Sequence, residues 1–229
     1  MLMTRRPIIL LLLLLPTLAC AQGDVEYRME IGGGVGLVTY QGDFSGSLLK
    51  SPQPMASVIL RRTINPYHGF RLNIGVGKLK GSSKNVETYY PGMAETPYEF
   101  SNMMGDLNVT YEYNFWPYGT GRDYRGAKRL TPFVAIGLGA TFVKTDDKSV
   151  FTANLPIGAG VKYKLADRLN LGLMWNTHFS LSDKLDGRAD PYSIKSSGLF
   201  KNTDCYSALQ VTLTYSFMAK CRTCHNEDE

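Results

Sequence analysis

The sequence predicts an all-β fold, an eight-stranded antiparallel transmembrane β-barrel preceded by a cleavable signal peptide. Three observations lead to it. In Leu169–Leu181 the residues Leu169, Leu171, Leu173, Trp175, Thr177, Phe179 and Leu181 share one face, and Asn170, Gly172, Met174, Asn176, His178 and Ser180 share the other. A period of two sustained over about a dozen residues is a strand, longer than the five or six residues usual in soluble sheets and suited to crossing a bilayer with one face in hydrocarbon. The same alternation recurs along the chain eight times, an even number that closes without an edge. Finally, beyond the leader no stretch is apolar enough for a membrane-spanning helix, so a membrane reading requires strands.

The leader has Arg5 and Arg6, the apolar run Ile8–Leu15, and the small-residue site Ala19-Cys20-Ala21. That is the layout of a secretory signal, too short to span a bilayer as a helix. Cleavage before Gln22 fits Ala-x-Ala better than lipidation of Cys20, because Thr17-Leu18-Ala19 is a poor lead-in for the latter. The expected organisation is a signal peptide over residues 1–21, a barrel over 22–217 and a periplasmic tail over 218–229. Loss of the two leader arginines takes the formal charge from +5 to +3. With no basic run carrying interleaved aromatics, nucleic acid is not an expected partner.

Strand one, Tyr27–Tyr40, turns Tyr27, Met29, Ile31, Val35 and Leu37 outward. Its glycines lie inside an alternating strand with no helix after them, so a phosphate cradle does not follow; they make room inside a narrow barrel or allow a bend. Strand two, Met55–Thr63, turns Ala56, Val58 and Leu60 outward and Ser57 and Arg61 inward. Asn65-Pro66-Tyr67-His68-Gly69 is a reverse turn. Strand three, Phe70–Lys80, points Phe70, Leu72, Ile74 and Val76 out. Strand four sets Leu107, Val109, Tyr111, Tyr113 and Phe115 against Asp106, Asn108, Thr110, Glu112 and Asn114, and Trp116-Pro117-Tyr118 ends it at an interface. Strand five is Leu130–Thr145, strand six carries Leu155, Ile157, Ala159, Val161 and Tyr163 outward, strand seven is the stretch above, and strand eight is Tyr206–Phe217.

Barrels of this kind keep short turns and both termini periplasmic and send long loops outside. Gln41–Pro54, Gly81–Ser101, Asp146–Ser149 and Ser182–Thr203 are therefore the expected outer loops. Ile64–His68, Trp116–Arg129 and Leu165–Arg168 are the expected periplasmic turns. The middle turn is long for that side and basic, with Arg122, Arg125, Lys128 and Arg129 against Asp123.

Five inward positions read as charged, namely Arg28, Glu30, Arg61, Arg71 and Glu112. Either they form a barrel-interior charge network that locks strand register, or they line a narrow anion-preferring pore. An eight-stranded barrel is just wide enough for its own side chains, which favours the network. No cofactor or metal site is expected: Cys221-Arg222-Thr223-Cys224 has only His225 near it, short of the four ligands zinc takes. A local or intermolecular disulfide is the default for an exported pair, and Cys205 lies too far away to join it in a folded monomer.

His178-Phe179-Ser180 is the one catalytic cue. It is similar to the His–Ser pair of outer-membrane lipid A deacylases, in which the histidine takes the serine proton. Parity turns both residues inward, and Leu181 stands where those enzymes have asparagine, so no catalytic role is expected and the chain reads as non-enzymatic.

Three patches carry a family resemblance: Tyr40-Gln41-Gly42-Asp43-Phe44, then Glu112-Tyr113-Asn114-Phe115-Trp116-Pro117-Tyr118, then the paired tail cysteines. Together they resemble the PorG-type outer-membrane barrels of Bacteroidetes. The resemblance implies a part of the type IX protein secretion system, anchoring a periplasmic PorK–PorN-type ring to the cell outer membrane. Arg122, Arg125, Lys128, Arg129, Cys221 and Cys224 are then the candidate partner-binding residues, and outer-membrane lipid is the other expected contact. The alternatives are a small channel or structural barrel and, further off, a lipid A-modifying hydrolase.

Overall fold

A computed structural model of the chain describes residues 27–41, 52–82, 99–119, 127–144, 149–180 and 205–219. The leader, the tail from residue 220, and the positions of Arg122, Arg125, Cys221 and Cys224 lie outside the described residues.

The eight expected strands are all present: β1 Tyr27–Gln41, β2 Gln53–Thr63, β3 His68–Ser82, β4 Glu99–Asn114, β5 Leu130–Lys144, β6 Ser149–Lys164, β7 Leu169–Ser180 and β8 Cys205–Ala219. They pair in chain order, and β8 returns antiparallel to β1 to close the barrel. Closure follows from the alternation: each strand satisfies both backbone edges with a neighbour, leaving no open edge to pair elsewhere. Strand ends at Tyr27 and Ala219 and the turns after β2, β4 and β6 lie at one end of the barrel, the turn end; the opposite end is the loop end.

Several strands run further than the apolar pattern predicts. Pairing of β3 with β4 continues to Ser82↔Glu99, inside the expected Gly81–Ser101 loop, and β8 extends two residues past Phe217. Apart from Phe100 and Met218 these extensions carry polar and small residues, so hydropathy marks them only faintly, but the hydrogen-bond ladder continues regardless of side chain.

The outward face is as expected. Every strand exposes large apolar side chains, among them Val35, Val58, Ile74, Leu107, Leu138, Ile157, Leu173 and Leu213, and Trp175 of β7 is 51% exposed. An apolar surface running round the whole barrel is far beyond the few hundred Å² that soluble monomers tolerate, and it is the surface of a membrane-spanning wall.

The interior is not polar throughout. At the loop end Val38, Tyr40, Leu79, Met104, Val143 and Tyr206 point inward and pack into an apolar plug. A narrow lumen sealed from water accepts apolar packing as readily as satisfied polar groups, so inside and outside positions both become apolar there and the alternation fades. The glycines of β1 do two jobs. A Cβ on Gly32 would run into the backbone oxygen of Leu213, so β1 and β8 close the barrel at a spacing that excludes side chains. Gly34 instead leaves room for Ser57 and Thr212 in the lumen.

Candidate functional site: the charged layer and the turn end

Cross-strand register alone places Glu30 of β1 beside Arg61 of β2, and Arg61 beside Arg71 of β3. Two arginines side by side repel, so this layer needs carboxylates aimed between them. Glu112 of β4 supplies one. Its register partners are Gly69 and Ala135, small residues that leave its side chain room to reach into the lumen. Glu112 is 0% exposed. Its Oε2 accepts from Arg61 Nε at 2.8 Å and from Lys162 Nζ at 2.6 Å. Arg71 Nε stands 3.5 Å from Oε1, an ion pair without hydrogen-bond alignment. Glu30 pairs with Arg61 NH1 and accepts from Thr214 Oγ1 at 3.0 Å. Lys162 also donates to Asn114 Oδ1 at 3.0 Å and lies over the Phe133 ring at 4.3 Å.

Four of the five expected interior charges therefore meet in one layer. Arg28 does not. It follows the alternation of Glu30 but stands exposed near the start of β1, where the lumen opens, and no ion pair joins it to the layer among the described residues. The five expected charges leave out Lys162, and also Asp106, which the alternation of β4 sets on the inner face. Both are buried inside, and Asp106 accepts from Asn108. The signal was available, because the same parity that turns Val161 and Tyr163 outward turns Lys162 inward.

The turn after β4 closes this end of the lumen. Trp116 is exposed, as an interface residue should be, but Tyr118 turns inward and is buried. Its phenol donates to Asn170 Oδ1 at 3.0 Å, while Asn170 Nδ2 donates to Ser216 Oγ at 2.9 Å. The backbone holds the turn across the mouth: Tyr118 N donates to Pro66 O at 3.1 Å, Lys128 N to Pro117 O at 2.7 Å and Gly119 N to Lys128 O at 3.2 Å. Lys128 and Arg129 remain exposed, with Lys128 Nζ 4.7 Å above the Trp116 ring. Arg168, in the turn after β6, hydrogen-bonds the phenols of Tyr27 at 3.2 Å and Tyr215 at 3.1 Å, clasping the seam between β1 and β8.

His178 and Ser180 both point into the barrel, as parity predicts. His178 stacks on Tyr206 with centroids 4.4 Å apart and an interplanar angle of 8°. Ser180 Oγ lies 3.3 Å from Thr152 Oγ1. A lipid on the outer wall does not reach either side chain without crossing the sheet. Among the described residues no cluster of three His, Cys, Asp or Glu is arranged to hold a metal. Cys205 begins β8 at the loop end, the full 15-residue strand away from Ala219.

A family model described as "Domain of unknown function (DUF6089)" matches residues 5–226. No curated protein matches the chain. Among solved structures, the chain is similar to the crystal structure of Neisserial surface protein A at 12% identity and a TM-score of 0.48, over 82% of this chain and 97% of that one. It is also similar to the outer membrane protein OprG from Pseudomonas aeruginosa at 10% identity and a TM-score of 0.49, over 86% and 99% of the two chains. Ail, the attachment invasion locus protein of Yersinia pestis, is similar at 11% identity and a TM-score of 0.40, over 85% and 100%.

Proposed function

The chain belongs to the DUF6089 family, and we propose that it is a non-enzymatic outer-membrane barrel of the type IX protein secretion system, holding periplasmic ring subunits of the PorK–PorN type. The barrel spans the outer membrane with its turn end in the periplasm, following the usual rule of short periplasmic turns. The resemblance to PorG-type barrels supplies the secretion role, and its most specific patch, Glu112–Tyr118, coincides with the charged layer and the cap of the lumen.

The observation that carries this reading is the described part of the turn after β4, residues 115–119 and 127–129. It is folded across the mouth of the lumen and pinned by Tyr118, while Trp116, Lys128 and Arg129 face away from the barrel. A closed mouth with Lys128 and Arg129 exposed on it is suited to docking a protein and unsuited to passing solutes. The alternative of a small channel has less support, because the lumen is filled twice over, by the Glu112 layer and by the apolar plug.

The test is recovery of the periplasmic ring on the purified barrel. Replacing Arg122, Arg125, Lys128 and Arg129 together with glutamine should cut ring recovery several-fold while the barrel keeps its heat-modifiable migration. Undiminished recovery from a correctly folded variant would refute the docking role.

A further inference from the structure

We propose that the loop-end rim of β3–β5 binds the phosphates of an outer-leaflet glycolipid of the lipid A class, with an acyl chain lying in a furrow directly below. Lys78 and Lys80 of β3 and Lys144 of β5 alternate with the buried Leu79 and Val143, so all three turn to the outer wall, and all three are exposed. They are close together by register: Lys78 pairs with Met103, and Met103 pairs with Lys144. With strands about 4.8 Å apart, the Cα atoms of Lys78 and Lys144 are about 10 Å apart, and Lys80 is one row further out. Their flexible stems can converge on one anionic group.

The row beneath has a different chemistry. Gly105 sits on the outer wall between Val76 and Phe142, and Phe142 pairs with Phe151. A Cβ on Gly105 would meet nothing nearer than the Gly75 carbonyl oxygen at 3.9 Å, so crowding does not demand glycine here. Its effect is a notch in the wall, bounded on one side by Phe142, with Phe151, 74% exposed, beyond it. The notch continues over Ala140, which pairs with Ala153 in the next row. Three cations above an apolar furrow match a lipid with phosphate on its headgroup and several acyl chains beneath. The assignment to the outer leaflet rests on the orientation proposed above, with the loop end outside.

The purified full-length barrel in detergent is incubated with lipid A, with phosphatase-treated lipid A and with phosphatidylglycerol, and bound lipid is counted by native mass spectrometry. Each lysine near an anionic surface is worth about a fivefold change in affinity, so the variant K78Q/K80Q/K144Q should bind lipid A on the order of a hundredfold more weakly. The arginine variant K78R/K80R/K144R should retain binding, phosphatase treatment should abolish the preference, and G105L should weaken lipid A binding with the lysines intact. Equal binding of lipid A by the wild type and the glutamine variant overturns the proposal, and so does equal binding of phosphatidylglycerol and lipid A. Orientation is read separately, from an epitope inserted between residues 83 and 98. If that epitope is hidden on intact cells, the topology is wrong and the outer-leaflet assignment falls, whatever the detergent measurement gives.

Discussion

Glu112 and Lys162 meet across the lumen, Oε2 to Nζ at 2.6 Å, from β4 and β6, two strands with β5 between them. The same oxygen holds Arg61, and the other faces Arg71, so one carboxylate contacts three cations, and Glu30 supplies the second negative charge of the layer. Removing one partner of a buried ion pair costs about 3–5 kcal/mol, because the remaining charge stays buried without compensation. Glu112→Gln should therefore lower the urea midpoint of the barrel in detergent far more than Arg28→Gln. The Arg28 change, at an exposed position, should stay within about 0.5 kcal/mol. Equal effects from the two substitutions would mean that the layer is not what holds the strands in place.

The two plugs predict electrical silence. Planar bilayers containing the wild-type protein should show no stable conductance, and neither should Arg61→Ala or Arg71→Ala. Emptying the charged layer leaves Tyr40, Leu79, Met104 and Tyr206 packed at the loop end. A step conductance that changes with Arg61 or Arg71 would instead support the channel reading.

The wall of the barrel was legible because hydrocarbon outside and crowding inside impose opposite chemistry on successive residues, as in Leu171-Gly172-Leu173-Met174-Trp175. The charged layer is legible for the same reason, Lys162 included, because the alternation that turns Val161 and Tyr163 outward turns it inward. Two features were not available to that reasoning. Val38, Leu79 and Val143 point inward among apolar partners, so both faces look alike and no local pattern marks the plug. Tyr118 follows a tryptophan and a proline at a strand end, where an aromatic normally marks the interface. Its inward turn is set by tertiary hydrogen bonds to Pro66 and Asn170, far away in sequence.

The His178–Ser180 pair gives a clean contrast between chemistry and packing. His178 is used as a flat ring against Tyr206. His178→Phe should preserve the barrel, whereas His178→Ala should cost about 1–3 kcal/mol through lost stacking and a cavity. Ser180→Ala should leave the acyl-chain profile of cellular lipid A unchanged by mass spectrometry. A shift in that profile on both Ser180→Ala and His178→Phe would contradict a buried, non-catalytic pair.

Tyr118 offers a pH-dependent test of the cap. Burial first, and then the negative charge of Glu30, holds its phenol well above the ordinary tyrosine range. The folded state therefore keeps the proton to higher pH than the unfolded chain does. The stability this group contributes is fully present below the unfolded value near pH 10 and is lost as the pH rises toward the folded value. Tyr118→Phe removes the donor to Asn170 Oδ1, a loss of about 1–3 kcal/mol where the acceptor is left buried and unpaired. Urea unfolding of the wild type and Tyr118→Phe at pH 8 should show the wild type more stable. At pH 11 the gap should narrow, since the unfolded wild type gains by ionising Tyr118 and the phenylalanine variant cannot. The other tyrosines titrate equally in both proteins and cancel from the difference. A gap that stays constant between the two pH values would mean that the Tyr118 phenol is not sealed into the mouth of the barrel.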